Sequence, residues 1–261
     1  MGILNVTPDS FFDGGKYLSE TAIVEQALKM LAEGADFIDV GGYSSRPGAA
    51  DISAEEERDR VVKAVTLILK NFPDTIISVD SFRAVVAEAA VDSGASIIND
   101  IAGGALDDEM FPTVARLKVP YILMHMRGNP RNMSSQTHYD HLLKDVIDYF
   151  HQKLFVLRDL DVKDIIVDPG FGFSKTIEQN FALLNDLEKF SVLGRPVLAG
   201  LSRKSLIWKT LNTEPDGGLN GTTALNTIAL MKGVDILRVH DVKQAREVIK
   251  LFTSLRVNVS Q

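Results

Sequence analysis

Short apolar runs recur along the chain, and each leads into a charged, amide or hydroxyl side chain. They cover residues 1–6 (with Asn5), 36–40 (with Asp39), 75–79 (then Asp80), 96–98 (then Asn99 and Asp100), 119–124 (then His125), 165–167 (then Asp168), 196–201 (then Ser202 and Lys204) and 235–239 (with Arg238, then His240). Between them the apolar spacing becomes helical. Ile23, Ala27, Met30 and Leu31 share a face ahead of Gly34; Val61, Val65 and Ile68 form the inward stripe of a segment opened by a Ser53/Glu56 capping-box pair; and Ala245, Val248, Ile249 and Phe252 repeat the spacing near the end. Three helix-to-strand joints look alike: Glu33-Gly34-Ala35-Asp36, Ser93-Gly94-Ala95-Ser96 and Lys232-Gly233-Val234-Asp235. Glycine just past a helix takes the left-handed conformation that ends it. Strand, helix, short joint, strand is the rhythm of a parallel α/β sheet.

Eight such units predict a (β/α)8 TIM barrel, with a doubly wound open sheet as the competing architecture. In a barrel, polar residues at the ends of all eight strands converge on one mouth, where barrel enzymes keep their chemistry. The length of 261 residues fits one barrel domain spanning 1–261. A first strand beginning at residue 1 leads us to expect a short native lead-in ahead of it.

With 45% hydrophobic and 24% charged residues the composition is that of a globular protein. The formal charge of −7 argues against a surface that coats nucleic acid, although it permits a local basic pocket. No apolar run approaches the roughly 18 residues of a membrane span. Zero cysteines exclude disulfides and thiolate metal sites, and the expected location is the cytoplasm.

Asp39, Asp80, Asp100 and Asp168 all stand at strand ends. Such carboxylates can bind metal, act as acid or base, or accept two N–H bonds from a donor-rich heterocycle; Asp100 reads best as a structural hydrogen-bond partner. The Asn5 amide oxygen suits a divalent ion. Gly41-Gly42-Tyr43-Ser44-Ser45-Arg46-Pro47-Gly48 allows close backbone approach and offers the Arg46 fork to an anion. Asp168-Pro169-Gly170-Phe171-Gly172-Phe173-Ser174-Lys175 is a bent loop that presents Phe173, with Phe171 expected in the core. Ser202-Arg203-Lys204 and Arg238-Val239-His240 place cations where barrels hold phosphate, and strand alternation sets Arg238 and His240 on one face. Asp241 is expected to cap the last helix. His125 reads as a base or as a satisfied strand-end histidine, and His138, His141 and His151 as surface residues. No histidine pair has zinc-ligand spacing.

Taken together, these segments resemble the dihydropteroate synthases of the pterin-binding barrel superfamily, over the whole chain. The resemblance implies a transferase of folate biosynthesis. It joins 6-hydroxymethyl-7,8-dihydropterin diphosphate to p-aminobenzoate, and sulfonamides compete with the latter. It further implies a pterin set of Asp39, Asp80, Asn99, Asp168, Lys204 and Arg238; a diphosphate set of Asn5, Arg46, Arg238 and His240; and a p-aminobenzoate set of Ser45, Arg46, Phe173 and Ser202. The catalytic residues would be Asn5, Arg46, Lys204, Arg238 and His240, with Mg2+ on Asn5, and the enzyme a homodimer. Three departures stand out. Tyr43 and Ser45 replace the Glu and Thr usual in the second loop, and Ser81 follows Asp80 where Thr is common. The rivals are a corrinoid-linked methyltetrahydrofolate methyltransferase, which has no diphosphate to hold, and a catalytically silent pterin-binding relative.

Overall fold

The computed structural model describes residues 1–7, 20–44 and 51–259. Strands and helices alternate throughout. They are β1 (Gly2–Asn5), α1 (Glu20–Ala32), β2 (Phe37–Gly41), α2 (Ala54–Asn71), β3 (Ile76–Asp80), α3 (Ala84–Asp92), β4 (Ile97–Asp100), α4 (Met110–Leu117), β5 (Tyr121–Met124), α5 (Leu142–Asp159), β6 (Ile165–Asp168), α6 (Ile177–Asn185), β7 (Leu198–Ala199), α7 (Ser205–Thr210), α8 (Leu219–Met231), β8 (Ile236–Leu237) and α9 (Val242–Val259). β1 to β6 pair in sequence order, all parallel, and β7 pairs with β8. Single parallel bridges, Val167 to Val197 and Gly2 to Val239, join the two sheets and close the barrel. The open-sheet alternative is thereby excluded.

The expected helix faces are the buried ones. Ile23, Ala27 and Met30 on α1 and Val61, Val65 and Ile68 on α2 are buried, while Leu31, Ile249 and Phe252 pack on the core's margin. Gly34, Gly94 and Gly233 end their helices at φ of 96°, 108° and 90°.

Period-two alternation sorts the strand residues into two sets. One set (Ile38, Val40, Ile77, Val79, Ile98, Leu123 and Val167 among it) packs against the helices in the main core. The other points into the barrel. Its lower layer contains Phe37, Ile97, Ile122, Ile166, Leu198 and Ile236, which cluster with Met1 and plug the barrel interior. Two residues further along each strand, the same inward direction brings Asp39, Asn99, Met124, Asp168, Gly200 and Arg238 to the level above the plug. Asn5 and Asp80 occupy matching places on β1 and β3. An apolar floor with a polar layer on it, at the C-terminal ends of the strands, is what positions the site.

Candidate active site

Arg238 is the hub of the inner layer. Its Nε donates to Asp39 Oδ2 and its Nη2 to Asp80 Oδ2, both at 2.6 Å. Asn99 Nδ2 donates to the same Asp39 oxygen at 2.9 Å. Asp39 is buried outright, and its Oδ1 is without a hydrogen-bond partner among the described residues. The structure thus brings Asp39 into the predicted set, but beneath Arg238 and Asn99, where it fixes their direction instead of facing the mouth.

Burial raises the Asp80 carboxyl to about 7; Arg238 opposes this, while Asp39, Glu57 and Asp100 add to it. Burial likewise raises Asp168 against the pull of Lys204, and the Gly170 N–H donates to its Oδ1 at 2.8 Å. Lys204 is lowered to about 8 by burial, with Asp168 opposing. Burial also works against the Arg238 charge, yet Asp39 and Asp80 override it and raise its pKa. Crowding three carboxyls with two cations in a largely buried layer therefore leaves Asp80 and Lys204 able to change charge near neutrality.

Lys204 Nζ donates to the Phe171 carbonyl and lies 4.7 Å from the centre of the Phe173 ring. Phe171 is fully buried, as its sequence context implied. Gly41 lets two site groups approach the β2 backbone closely. A side chain there would meet Asn5 Oδ1 at 3.2 Å and Asp80 Oδ2 at 3.7 Å. On the far rim Ser202 Oγ and His240 Nδ1 are 3.0 Å apart, and the His240 N–H donates to the same hydroxyl at 3.1 Å. The structure therefore brings together Asp39, Asp80, Asn99, Asp168, Lys204, Arg238 and Phe173, with Asn5 on one side and the Ser202–His240 pair on another. Ser45 and Arg46 lie outside the described residues.

Other strand-end residues are turned away by parity. Asp100 and His125 belong to the outward set. Asp100 accepts from the Tyr121 hydroxyl and from the N–H groups of Ala102 and Gly104, each at 2.7 Å, which is the structural role expected. His125 is buried against Tyr149, Tyr139 and Phe150. Burial first, then Lys175 and Arg127, lower its pKa to about 2, so it stays neutral and is no base for the mouth. Asp241 stands directly before α9, where a cap was expected, and its carbonyl accepts from the Ala245 N–H. Two expectations need correction. Arg203 does not serve an anion site, because its fork is taken by the Asp241 carboxylate in two bonds of 2.8 Å. Ser53 does cap α2, accepting from the Glu56 N–H at 3.1 Å, but the Glu56 side chain turns to Arg60 instead of completing the box. His138, His141 and His151 are exposed, as expected.

Sequence reasoning assigned nothing to Glu57, Arg83 or Lys175. Arg83 bonds the fully buried Glu57 at 2.7 Å and stacks within 5.4 Å of Tyr43 and 5.3 Å of Phe82, whose rings meet edge-on at 5.2 Å. Tyr43, the unusual residue of the second loop, is thus part of a packed aromatic and cation stack on the loop after β3. Glu57 looked like one of three acids in a first helical turn, and only burial distinguishes it. Among the described residues no group of three or more His, Cys, Asp or Glu is arranged to hold a metal ion.

A closed barrel whose inner layer holds carboxylates, an amide and two cations, with a sequence that matches the pterin-binding family, belongs to the class of pterin-binding barrels. The family model described as pterin binding enzyme matches residues 1–240. The dihydropteroate synthase of Bacillus subtilis is 44% identical over 257 residues, covering 98% of this chain and 87% of that one. Among solved structures, the dihydropteroate synthase of Clostridium difficile in the presence of pteroic acid superposes with a TM-score of 0.91 at 37% identity, covering 97% of this chain and 95% of that one. That of Xanthomonas albilineans with 4-aminobenzoic acid gives 0.90 at 37%, covering 98% and 92%. The chain belongs to the dihydropteroate synthase family.

Proposed function

We propose that the chain condenses 6-hydroxymethyl-7,8-dihydropterin diphosphate with p-aminobenzoate, releasing pyrophosphate and forming 7,8-dihydropteroate. The observation that carries this reading is the single connected layer of Asp39, Asp80, Asn99, Asp168, Lys204 and Arg238 above the barrel plug. Asp80 and Asp168 supply acceptors for the 2-amino and ring N–H edge of the pterin, while Asn99 and Lys204 supply donors for its ring acceptors. Arg238 keeps Nη1 for the diphosphate while Nε and Nη2 stay on the carboxylates. His240, Asn5 and Arg46 complete the anion site, and Ser202, Ser45, Arg46 and Phe173 surround p-aminobenzoate. Relatives solved with pteroic acid and with 4-aminobenzoic acid support the pairing of substrates.

The bond between the exocyclic methylene carbon and the diphosphate oxygen breaks, and the neutral arylamine nitrogen forms the new C–N bond and then loses a proton. Developing negative charge on the leaving group is met by preset cations, and an aromatic amine needs no strong base. Positioning and electrostatics therefore supply most of the rate enhancement. Asn5 suits Mg2+, an ion that prefers oxygen ligands and is commonly shared between one or two protein groups and phosphate oxygens. Bound there, it would add positive charge against the leaving pyrophosphate.

A pyrophosphate-release assay tests the reading. Release is expected only with both substrates present, and to fall when Mg2+ is chelated; no product under any condition overturns it. Asn5→Ala and Arg238→Ala should each lower turnover at least ~10²-fold, as loss of a preset charge-stabilising group does elsewhere. We further infer a homodimer, supported by the exposed apolar residues Leu211, Ile228, Met231, Leu251 and Leu255 on and beside neighbouring outer helices, and a cytoplasmic location. No helix of the described residues is long and apolar enough to cross a membrane.

A further inference from the structure

The loop from β6 to α6 turns on three left-handed residues, Gly170, Gly172 and Ser174, at φ of 73°, 81° and 46°. Such a loop needs something beneath it. A side chain on Gly170 would come within 2.0 Å of the His125 carbonyl, so the loop is seated directly on the end of β5. Lys175, only 8% exposed, runs back under the turn. Its Nζ lies 3.1 Å from the Gly170 carbonyl, 3.1 Å from the Phe173 carbonyl and 3.0 Å from His125 Nδ1. An ammonium has three N–H donors, and here each has one acceptor. None of the three acceptors is a carboxylate. Burial lowers Lys175 to about 7, with Asp168 opposing, and a buried amine whose hydrogen bonds all go to neutral acceptors is sensitive to losing any one of them. His125 supplies a permanent acceptor because its ring stays neutral, and its edge-on contact with Tyr149, 4.9 Å between centres, holds the ring still.

We propose that Lys175 is a positioning residue for the arylamine half of the reaction, a strut from His125 that sets the Phe173 backbone and so holds its ring beside Lys204. The inference rests on the reading of Phe173 as a wall of the p-aminobenzoate site. It makes a selective claim. Asp168, at the start of the same loop, accepts the Gly170 N–H but is also fixed by strand pairing opposite Met124, so the pterin side depends on the strut less than Phe173 does. Phe173 has no such ladder, and its backbone is held by the turn bond to Gly170 and by Lys175.

Lys175→Met keeps the length and removes the donors. It is expected to raise KM for p-aminobenzoate at least ~10-fold while leaving KM for the pterin diphosphate within ~2-fold, since a displacement of about 1 Å costs that much or more. In a double-mutant cycle, Phe173→Ala alone raises the same KM, and combining it with Lys175→Met adds less than ~2-fold because both act through one ring. A Phe173→Ala effect without a Lys175→Met effect, or equal KM increases for both substrates, overturns the strut. No change with Phe173→Ala while pyrophosphate is still released shows instead that Phe173 is not the wall, and the strut falls with it. Because the chain has no cysteine, Lys175→Cys offers a second route should the methionine variant not fold. Alkylated while unfolded and then refolded, it carries either an aminoethyl or a propyl group. The aminoethyl chain should bring KM back to within roughly 3-fold of wild type and the propyl chain should not. Equal recovery by both would mean that the chain's bulk and not its donors matters.

Discussion

Asp80 shares one guanidinium with Asp39 and carries a carboxyl raised to about 7. A carboxyl whose pKa is raised on folding binds more protons folded than unfolded. Its contribution to stability is complete below about pH 4 and is lost as pH rises through about 7. Thermal unfolding followed from pH 4 to 8 should therefore show wild type losing stability relative to Asp80→Asn as pH rises. A parallel pH dependence of the two would show that Asp80 ionises normally. The same residue illustrates what was legible at this scale. Every inner-layer group was visible as a polar tip on an apolar run, but parity was not, because a run does not show which of its residues faces inward. Asn99 and Asp100 are adjacent, yet one enters the barrel and the other bonds the Tyr121 hydroxyl. Lys175 closes a motif that was recognised, but its role needs the loop's return path, which no local spacing encodes.

Helix ends show the same division at the scale of the element. The Ser53/Glu56 pair looked like a capping box and is half of one, because Glu56 prefers the nearby Arg60. The complete box is Thr176 with Gln179, both arms present at 3.2 and 2.8 Å, at the start of α6 and just after Lys175. Thr176→Ala should cost about 1 kcal/mol and lower the melting temperature by about 2–4 °C, measurable by calorimetry; an unchanged midpoint would show that the box is idle. Helices and the glycine joints were legible because amphipathic spacing and left-handed stops are local. The last two strands were less so. The runs at 196–201 and 235–239 pair as regular strand over only Leu198–Ala199 and Ile236–Leu237, since pairing depends on neighbours that the run does not specify.

For the whole molecule, the eightfold rhythm was enough to foresee a closed barrel, and the comparison with relatives agrees with it. The proposed dimer belongs to this scale as well. Leu251 and Leu255 are 74% and 54% exposed on α9, and Ile228 is 41% exposed on the adjoining α8. Replacing Ile228 and Leu251 together by glutamate should halve the mass seen by light scattering, and an unchanged dimer would move the interface elsewhere. Closure itself has a further consequence. The seam joins the first strand of the barrel to the residues just beyond its last, with the Ile3 N–H on the Val239 carbonyl and the Val239 N–H on the Met1 carbonyl, both at 2.9 Å. During synthesis β1 emerges before the other seven strands and waits for a partner just beyond β8, the last of them. Until then its outer edge is an unpaired strand, the kind of surface that recruits other chains. Loop-closure entropy must be met before that contact forms, which slows the step. The nascent chain is thus most exposed to aggregation in the interval before Val239 leaves the ribosome, and the seam is where a folding chaperone would have most to protect.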